Sequence, residues 1–306
     1  MATVLMASRS LTIARLPGHT DLMIDLEDLS AEGFPPAMVL HAKALGMRGQ
    51  RKEAIQLLEK TVLPNLLPTR RKPPPFMDMT ATDFLPSPYR LYAFLQASEA
   101  EFTGSDDSRR KSDAAIRIAA MEYNDPEALC EYASIMMGEN NLDLYEECMS
   151  KAAVAGQSKA CLHLANFYYL TFHGAYPTRG ERSRQARNGP NAVPPPKPKK
   201  ASKHDPVSAV FNWIRSFFLL SIPQSDYRQL ARDWYRVAYM AGQPRAAFML
   251  SLLDREDGNE FNGRYFLERA NMENDADYAD KMDALKANWY NPDFTPKLPK
   301  KMLEVR

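Results

Sequence analysis

Cys161 and His163, with His173 further on, are the residues whose types come closest to a metal site. A helix turns about 100° per residue, so Cys161 and His163 would point about 200° apart. None of the five histidines (His19, His41, His163, His173, His204) forms an HExxH motif or an i, i+4 pair. No CxxC pair joins Cys130, Cys148 and Cys161, so zinc lacks its usual signature. Three cysteines suit buried thiols in a reducing compartment rather than a disulfide framework. Glu146-Glu147 and Asp106-Asp107 are paired acids of the kind that can share a proton in catalysis, but exposed helix faces produce such pairs routinely. No GxGxxG, GxxxxGK[ST] or GxSxG motif occurs. The expectation is therefore no enzyme, no metal and no cofactor.

The charged segments offer a different chemistry. Residues 179–206 hold eight Lys/Arg against two Asp/Glu and include Pro194-Pro195-Pro196-Lys197-Pro198-Lys199-Lys200. Such a stretch buries too little apolar area to offset its ordering entropy, so it reads as a disordered loop. It suits a linker, a partner tail, a localisation signal, a PxxP-type ligand or a phosphate-backbone contact. Next comes the apolar run 208–222. As a helix it spans roughly 22 Å, short of the roughly 30 Å hydrocarbon core, with Arg215 at its centre. Phe211, Trp213, Ile214, Phe217 and Phe218 make it a candidate partner helix or membrane-surface helix.

The elements that must position these residues are helices. The chain has 306 residues, a formal charge of +1, 45% hydrophobic and 25% charged residues. That composition excludes global disorder, collagen, a multi-span membrane protein and a globally basic nucleic-acid binder. The length allows about two domains or one elongated array. Ser87-Pro88, Asp125-Pro126-Glu127 and Ser225-Asp226 are helix starts, and Gly46, Gly138, Gly156 and Gly242 mark helix ends. Residues 64–88 contain seven prolines and read as an extended connector. No period-2 stretch with turn chemistry at both ends is present.

Two stretches match each other. Ala152, Ala155, Gly156-Gln157, Ala160 and Leu164 correspond to Ala238, Ala241, Gly242-Gln243, Ala246 and Leu250. Ala120…Asn124…Ala128 fits the same frame with asparagine in the glycine place. Ala128 and Ala160 are 32 residues apart, whereas Ala160 and Ala246 are 86 apart because the basic segment and the apolar run intervene. Small alanines let two helices approach, and glycine or asparagine takes the left-handed cap. A lone helix pair cannot cover its own apolar face, so the units must stack.

On Tyr145…Lys151-Ala152-Ala153…Gly156-Gln157…Ala160…Leu164…Tyr168-Tyr169 and Ala231…Trp234-Tyr235…Ala238…Gly242-Gln243…Ala246…Leu250, the chain resembles the Sel1-like repeats, relatives of the tetratricopeptide repeat. Weaker copies run from Ala37 to Lys60 and from Ala246 to Asn274, so the resemblance covers residues 35–290 in about five units. The family's glycine in the first helix-to-helix turn is poorly kept after Ala160 and Ala246. The resemblance implies an all-α, right-handed α-solenoid of antiparallel helix pairs that assembles or holds other proteins.

The expected organisation is an N-terminal helical or transit-like segment (1–34), repeats (35–173), a disordered basic insertion (174–206), repeats (207–290) and a C-terminal tail (291–306). Arg9 and Arg15 in an acid-free, Ser-containing start resemble a mitochondrial transit peptide, and the cytosol is the alternative. The first repeat has no polar capping helix before it, so Met1 need not be the natural start. The expected function is a protein-interaction scaffold that takes a peptide or helix in a concave groove. Tyr89, Tyr92, Phe167, Tyr168, Trp234 and Tyr235 are the candidate groove anchors, with Phe94 and Tyr169 further candidates. The alternatives are an RNA-binding helical repeat and a membrane-surface assembly factor. Nucleic acid is disfavoured because the chain outside 179–206 is net acidic. The oligomeric state is open.

Overall fold

A left-handed residue, one linker residue, then a new helix is the local rule from which this chain is built. Gly33, Gly49, Gly104, Asn124, Asn140, Gly156, Gly242 and Gly258 are left-handed, and after each the next helix begins two residues on; Gly174 is left-handed too, but the helix after it begins only at Arg179. At Gly156 the closure is a Schellman motif: the Gly156 N–H bonds the Ala153 carbonyl and the Gln157 N–H bonds the Ala152 carbonyl. Gly242 and Gln243 repeat it on Tyr239 and Ala238. Asn124, Asn140 and Gly156 are spaced by 16 residues, as are Gly33 and Gly49, and Gly242 and Gly258. One helix plus its turn is therefore the unit of length.

The computed structural model describes residues 21–66, 87–188, 222–270, 276–291, 293, 294, 296, 298 and 300–305. Among them the chain is all-helical, without strands. The helices are α1 (Asp21–Ala31), α2 (Pro35–Met47), α3 (Arg51–Leu57), α4 (Pro88–Thr103), α5 (Asp106–Met121), α6 (Pro126–Gly138), α7 (Leu142–Val154), α8 (Ser158–Phe172), α9 (Arg179–Asn188), α10 (Asp226–Met240), α11 (Pro244–Glu256), α12 (Glu260–Arg269) and α13 (Ala276–Ala287). A π-helical turn (Leu58–Val62) and a 3-10 turn (Leu63–Leu66) extend α3, and a second 3-10 turn (Lys300–Leu303) lies near the C-terminus. The N-terminal stretch 1–20 and the apolar run with Phe211, Trp213, Ile214, Phe217 and Phe218 lie outside the described residues.

The chain divides into two compact units, Met1–Tyr132 and Ala133–Arg306. The division falls inside α6 and not at the basic insertion. In the first unit α1 to α5 each pack on the next, around Met23, Leu26, Ala37, Leu40 and Ala44 at the α1–α2 end. In the second, α7 packs on α8, α8 on α10, α10 on α11, and α11 on α12. The 86-residue gap in the repeat is thus an excursion between spatial neighbours: Gln224 Nε2, just before α10, donates to the Phe172 carbonyl at the end of α8 (2.9 Å). The repeat alanines Ala120, Ala128, Ala152, Ala160, Ala238 and Ala246 are all fully buried, as close helix approach requires.

Helix starts follow the sequence, with one difference in mechanism. Ser87 Oγ accepts from the Arg90 N–H, and Asp125 Oδ1 from the Glu127 and Ala128 N–H groups. Ser225 makes no such cap; its hydroxyl bonds Asp226 instead. Two of the four glycine stop signals are also reassigned. Gly46 lies in the last turn of α2, where a Cβ would come within 2.6 Å of Leu95, and Gly49 makes the left-handed turn. Gly138 ends α6, but Asn140 makes the turn.

Candidate functional site

The first unit carries an open apolar groove of about 760 Å³. Met47 of α2, Leu91, Phe94 and Leu95 of α4, and Ile116 of α5 form its walls, with Lys43, Arg51 and Arg90 among the lining cations. Phe94 is 67% exposed, although it sits one turn from the buried Leu91 and one residue from the buried Leu95. Arg90 is matched by carboxylates, pairing with Glu127 and with Glu131 (3.0 Å). Arg51 stacks its guanidinium over the exposed Phe102 ring, 5.4 Å from the centroid. Burial lowers the Lys43 pKa, so its charge is held partly out of water at the groove wall. The groove therefore presents apolar surface beside Lys43 and Arg51.

The anchors expected from sequence separate into two groups. Tyr92, Phe167, Tyr168 and Tyr235 are core residues, out of reach of a docked segment. Tyr92 donates to Glu59, and burial followed by that bond raises its pKa. The Phe167 ring packs tilted against those of Tyr145 and Tyr168, with centroids 5.0 and 5.9 Å away. Tyr92, Phe167, Tyr168 and Tyr235 read as anchors because aromatic spacing alone does not distinguish the inward face from the outward one. Tyr89 and Trp234 are half-buried, and Tyr89 packs 5.5 Å from Tyr123. Of the wider set only Phe94 projects into open groove.

The second unit corrects two readings. The basic insertion does not start as a disordered loop: Arg179–Asn188 is helix α9, and its first two arginines are buried. Nor does Glu146 lie on an exposed face; it is 1% exposed. Arg179 Nε donates to Glu146 Oε1 (2.8 Å), and its Nη2 bonds Glu146 and the Tyr168 hydroxyl (3.1 Å). Arg182 Nη2 takes Glu146 Oε2 (2.5 Å) and its Nε takes Asp143 Oδ1 (2.6 Å). The Arg179 N–H donates to the Tyr227 hydroxyl (2.9 Å), linking α9 to α10. Burial works against the Arg179 charge, but Glu146 outweighs it and holds the pKa above normal. Two guanidiniums and two carboxylates close the cluster, so it is structural glue with no open coordination position. Counting charges along the chain misses this because it does not ask which charges find partners.

A looser cluster joins α10 to α11. Arg228 pairs with Asp257 (2.6 Å) and Glu256 (3.1 Å), and Arg232 with Asp254 (3.5 Å) and Asp257. Its carboxylates Glu256 and Asp257 face solvent or its edge.

On α8, the buried Asn166 makes contacts that no motif announced. Its Nδ2 donates to the backbone carbonyls of Met302 (3.0 Å) and Glu304 (2.7 Å), and its Oδ1 accepts from the Tyr235 hydroxyl (2.8 Å). His163 Nδ1 lies 3.0 Å from the Glu304 carbonyl; the acceptor requires the proton on Nδ1. The signal was a lone polar residue in the buried run Leu164-Ala165-Asn166-Phe167, which must find a partner.

Among the described residues no group of three His, Cys, Asp or Glu side chains is placed to hold a metal ion, and no helix is long and apolar enough to cross a membrane. No protein-family model matches the chain, and no curated protein matches it.

Proposed function

We propose that this chain is a non-enzymatic protein-interaction scaffold, a right-handed solenoid of Sel1-like helix pairs that holds segments of other proteins on its helical faces. The observation that carries the reading is the groove of the first unit with Phe94 standing open in it. An exposed phenylalanine beside an apolar floor is the kind of anchor around which hot spots form. Lys43 and Arg51 at the wall favour a partner segment that places an acidic residue next to its apolar one. The stacked helix pairs and the buried repeat alanines support the scaffold class, since such arrays present continuous side-chain surfaces.

The test is affinity purification of the tagged full chain from its own cells, wild type against Phe94→Glu, each with and without ribonuclease. Phe94 is exposed, so the substitution is expected to change stability by no more than about 0.5 kcal/mol. The expected result is a set of protein partners that survives ribonuclease and is lost with Phe94→Glu. Partners that vanish with ribonuclease, or that ignore the substitution, overturn the reading.

A further inference from the structure

The face of α8 toward residues 300–305 is organised as a peptide site. Its polar groups are Asn166, 1% exposed, and His163. Their hydrogen bonds to the C-terminal segment all end on backbone carbonyls, those of Met302 and Glu304. The Tyr235 hydroxyl on Asn166 Oδ1 fixes the amide so that its nitrogen faces the segment. Side-chain recognition rests on Met302 (1% exposed) and Val305 (8%), three residues apart, while Glu304 points to solvent. Backbone clamping with two apolar positions specifies a pattern, not one particular sequence.

We propose that this face is a binding site for a partner segment that enters as a 3-10 turn with apolar residues at i and i+3, and that the chain's own Met302–Val305 occupies it as an internal competitor. This inference is independent of the groove of the first unit. The tail reaches α8 from 136 to 141 residues along the chain, so it is a tethered ligand whose release uncovers Asn166 and His163 together. A site filled by its own tail most of the time binds an outside segment with an affinity reduced by the vacant fraction.

The test uses a fluorescein-labelled peptide of residues 300–306 and fluorescence anisotropy. The proteins are the full-length wild type and a full-length variant whose tail is weakened by Met302→Asp and Val305→Asp. The expected result is that the variant binds the peptide at least about tenfold more tightly than the wild type. A peptide carrying the same two substitutions does not bind, and adding Asn166→Ala to the variant abolishes binding. The peptide controls keep the test independent of whether Asn166→Ala folds. Equal binding to wild type and variant overturns the proposal. So does loss of helical circular dichroism in the tail variant, which makes the tail part of the core. A concentration-dependent dimer of the wild type assigns the site to a second copy's tail and overturns the partner reading.

Discussion

Two arginine–carboxylate clusters in the second unit use the same side chains to different ends. In the α7–α9 cluster Glu146, Arg179 and Arg182 are enclosed, and every described contact has a geometric partner. In the α10–α11 cluster Glu256 and Asp257 meet water, and Arg232 Nε has no partner among the described residues. The enclosed cluster fixes a helix whose sequence, Arg-Gly-Glu-Arg-Ser-Arg, has almost no apolar surface with which to dock. The open one decorates two helices already joined by buried Ala231, Tyr235, Leu250 and Leu253. Charge pairing thus specifies position where apolar burial is missing, and adds little where burial already decides.

The largest expected effect comes from removing the shared carboxylate. Glu146→Ala leaves the buried Arg179 without its anion and Arg182 with only the exposed Asp143, and is expected to cost about 3–5 kcal/mol in urea unfolding. Hydrogen exchange at residues 180–187 should rise with it. Replacing Glu146, Arg179 and Arg182 together by methionine is expected to be neutral or stabilising by up to about 4 kcal/mol. If the single and triple variants lose the same stability, the contrast between unpaired charge and lost attraction is wrong.

The middle effect lies in the open cluster. Arg228→Ala is expected to cost about 1 kcal/mol or less, and 1 M salt should remove most of the difference from wild type. The same salt should leave the Glu146→Ala penalty nearly intact. A salt response of equal size in both clusters would erase the distinction between them.

The smallest effect is a pH dependence. Burial works against the Asp257 carboxylate, but Arg232 and Arg228 prevail and hold its pKa below the usual 3.8. A carboxyl depressed in the folded state stabilises it above the unfolded pKa, and that contribution is lost as pH falls through the folded value. The stability gap between wild type and Asp257→Asn should therefore be present at pH 6 and shrink below pH 3.8. Urea midpoints at pH 6 and pH 3 check it; a constant gap refutes the assignment.

The helical class was legible because it rests on local chemistry. The left-handed turns at Gly156, Gly242 and Asn124 and the alanines around them are properties of single positions and their neighbours. What the sequence hid depends on partners far along the chain. Arg179 and Arg182 look like solvated charge until Glu146, 33 and 36 residues earlier, is brought beside them. Met302 and Val305 look like a tail until Asn166, 136 and 138 residues earlier than Met302 and Glu304, donates to the carbonyls of those two residues. Aromatic anchors were half legible. Phe94 and Tyr92 lie two residues apart on one helix, and only packing decides that one faces the groove and the other the core.

Where the chain leaves α8 and where it re-enters at α10 has a consequence for the repeat. Gln224 returns to the Phe172 carbonyl 52 residues later, close to where an ordinary short turn would deliver the chain. The helix stack therefore sets both ports, and the repeat that runs along α8 resumes at α10 as if a single turn joined them.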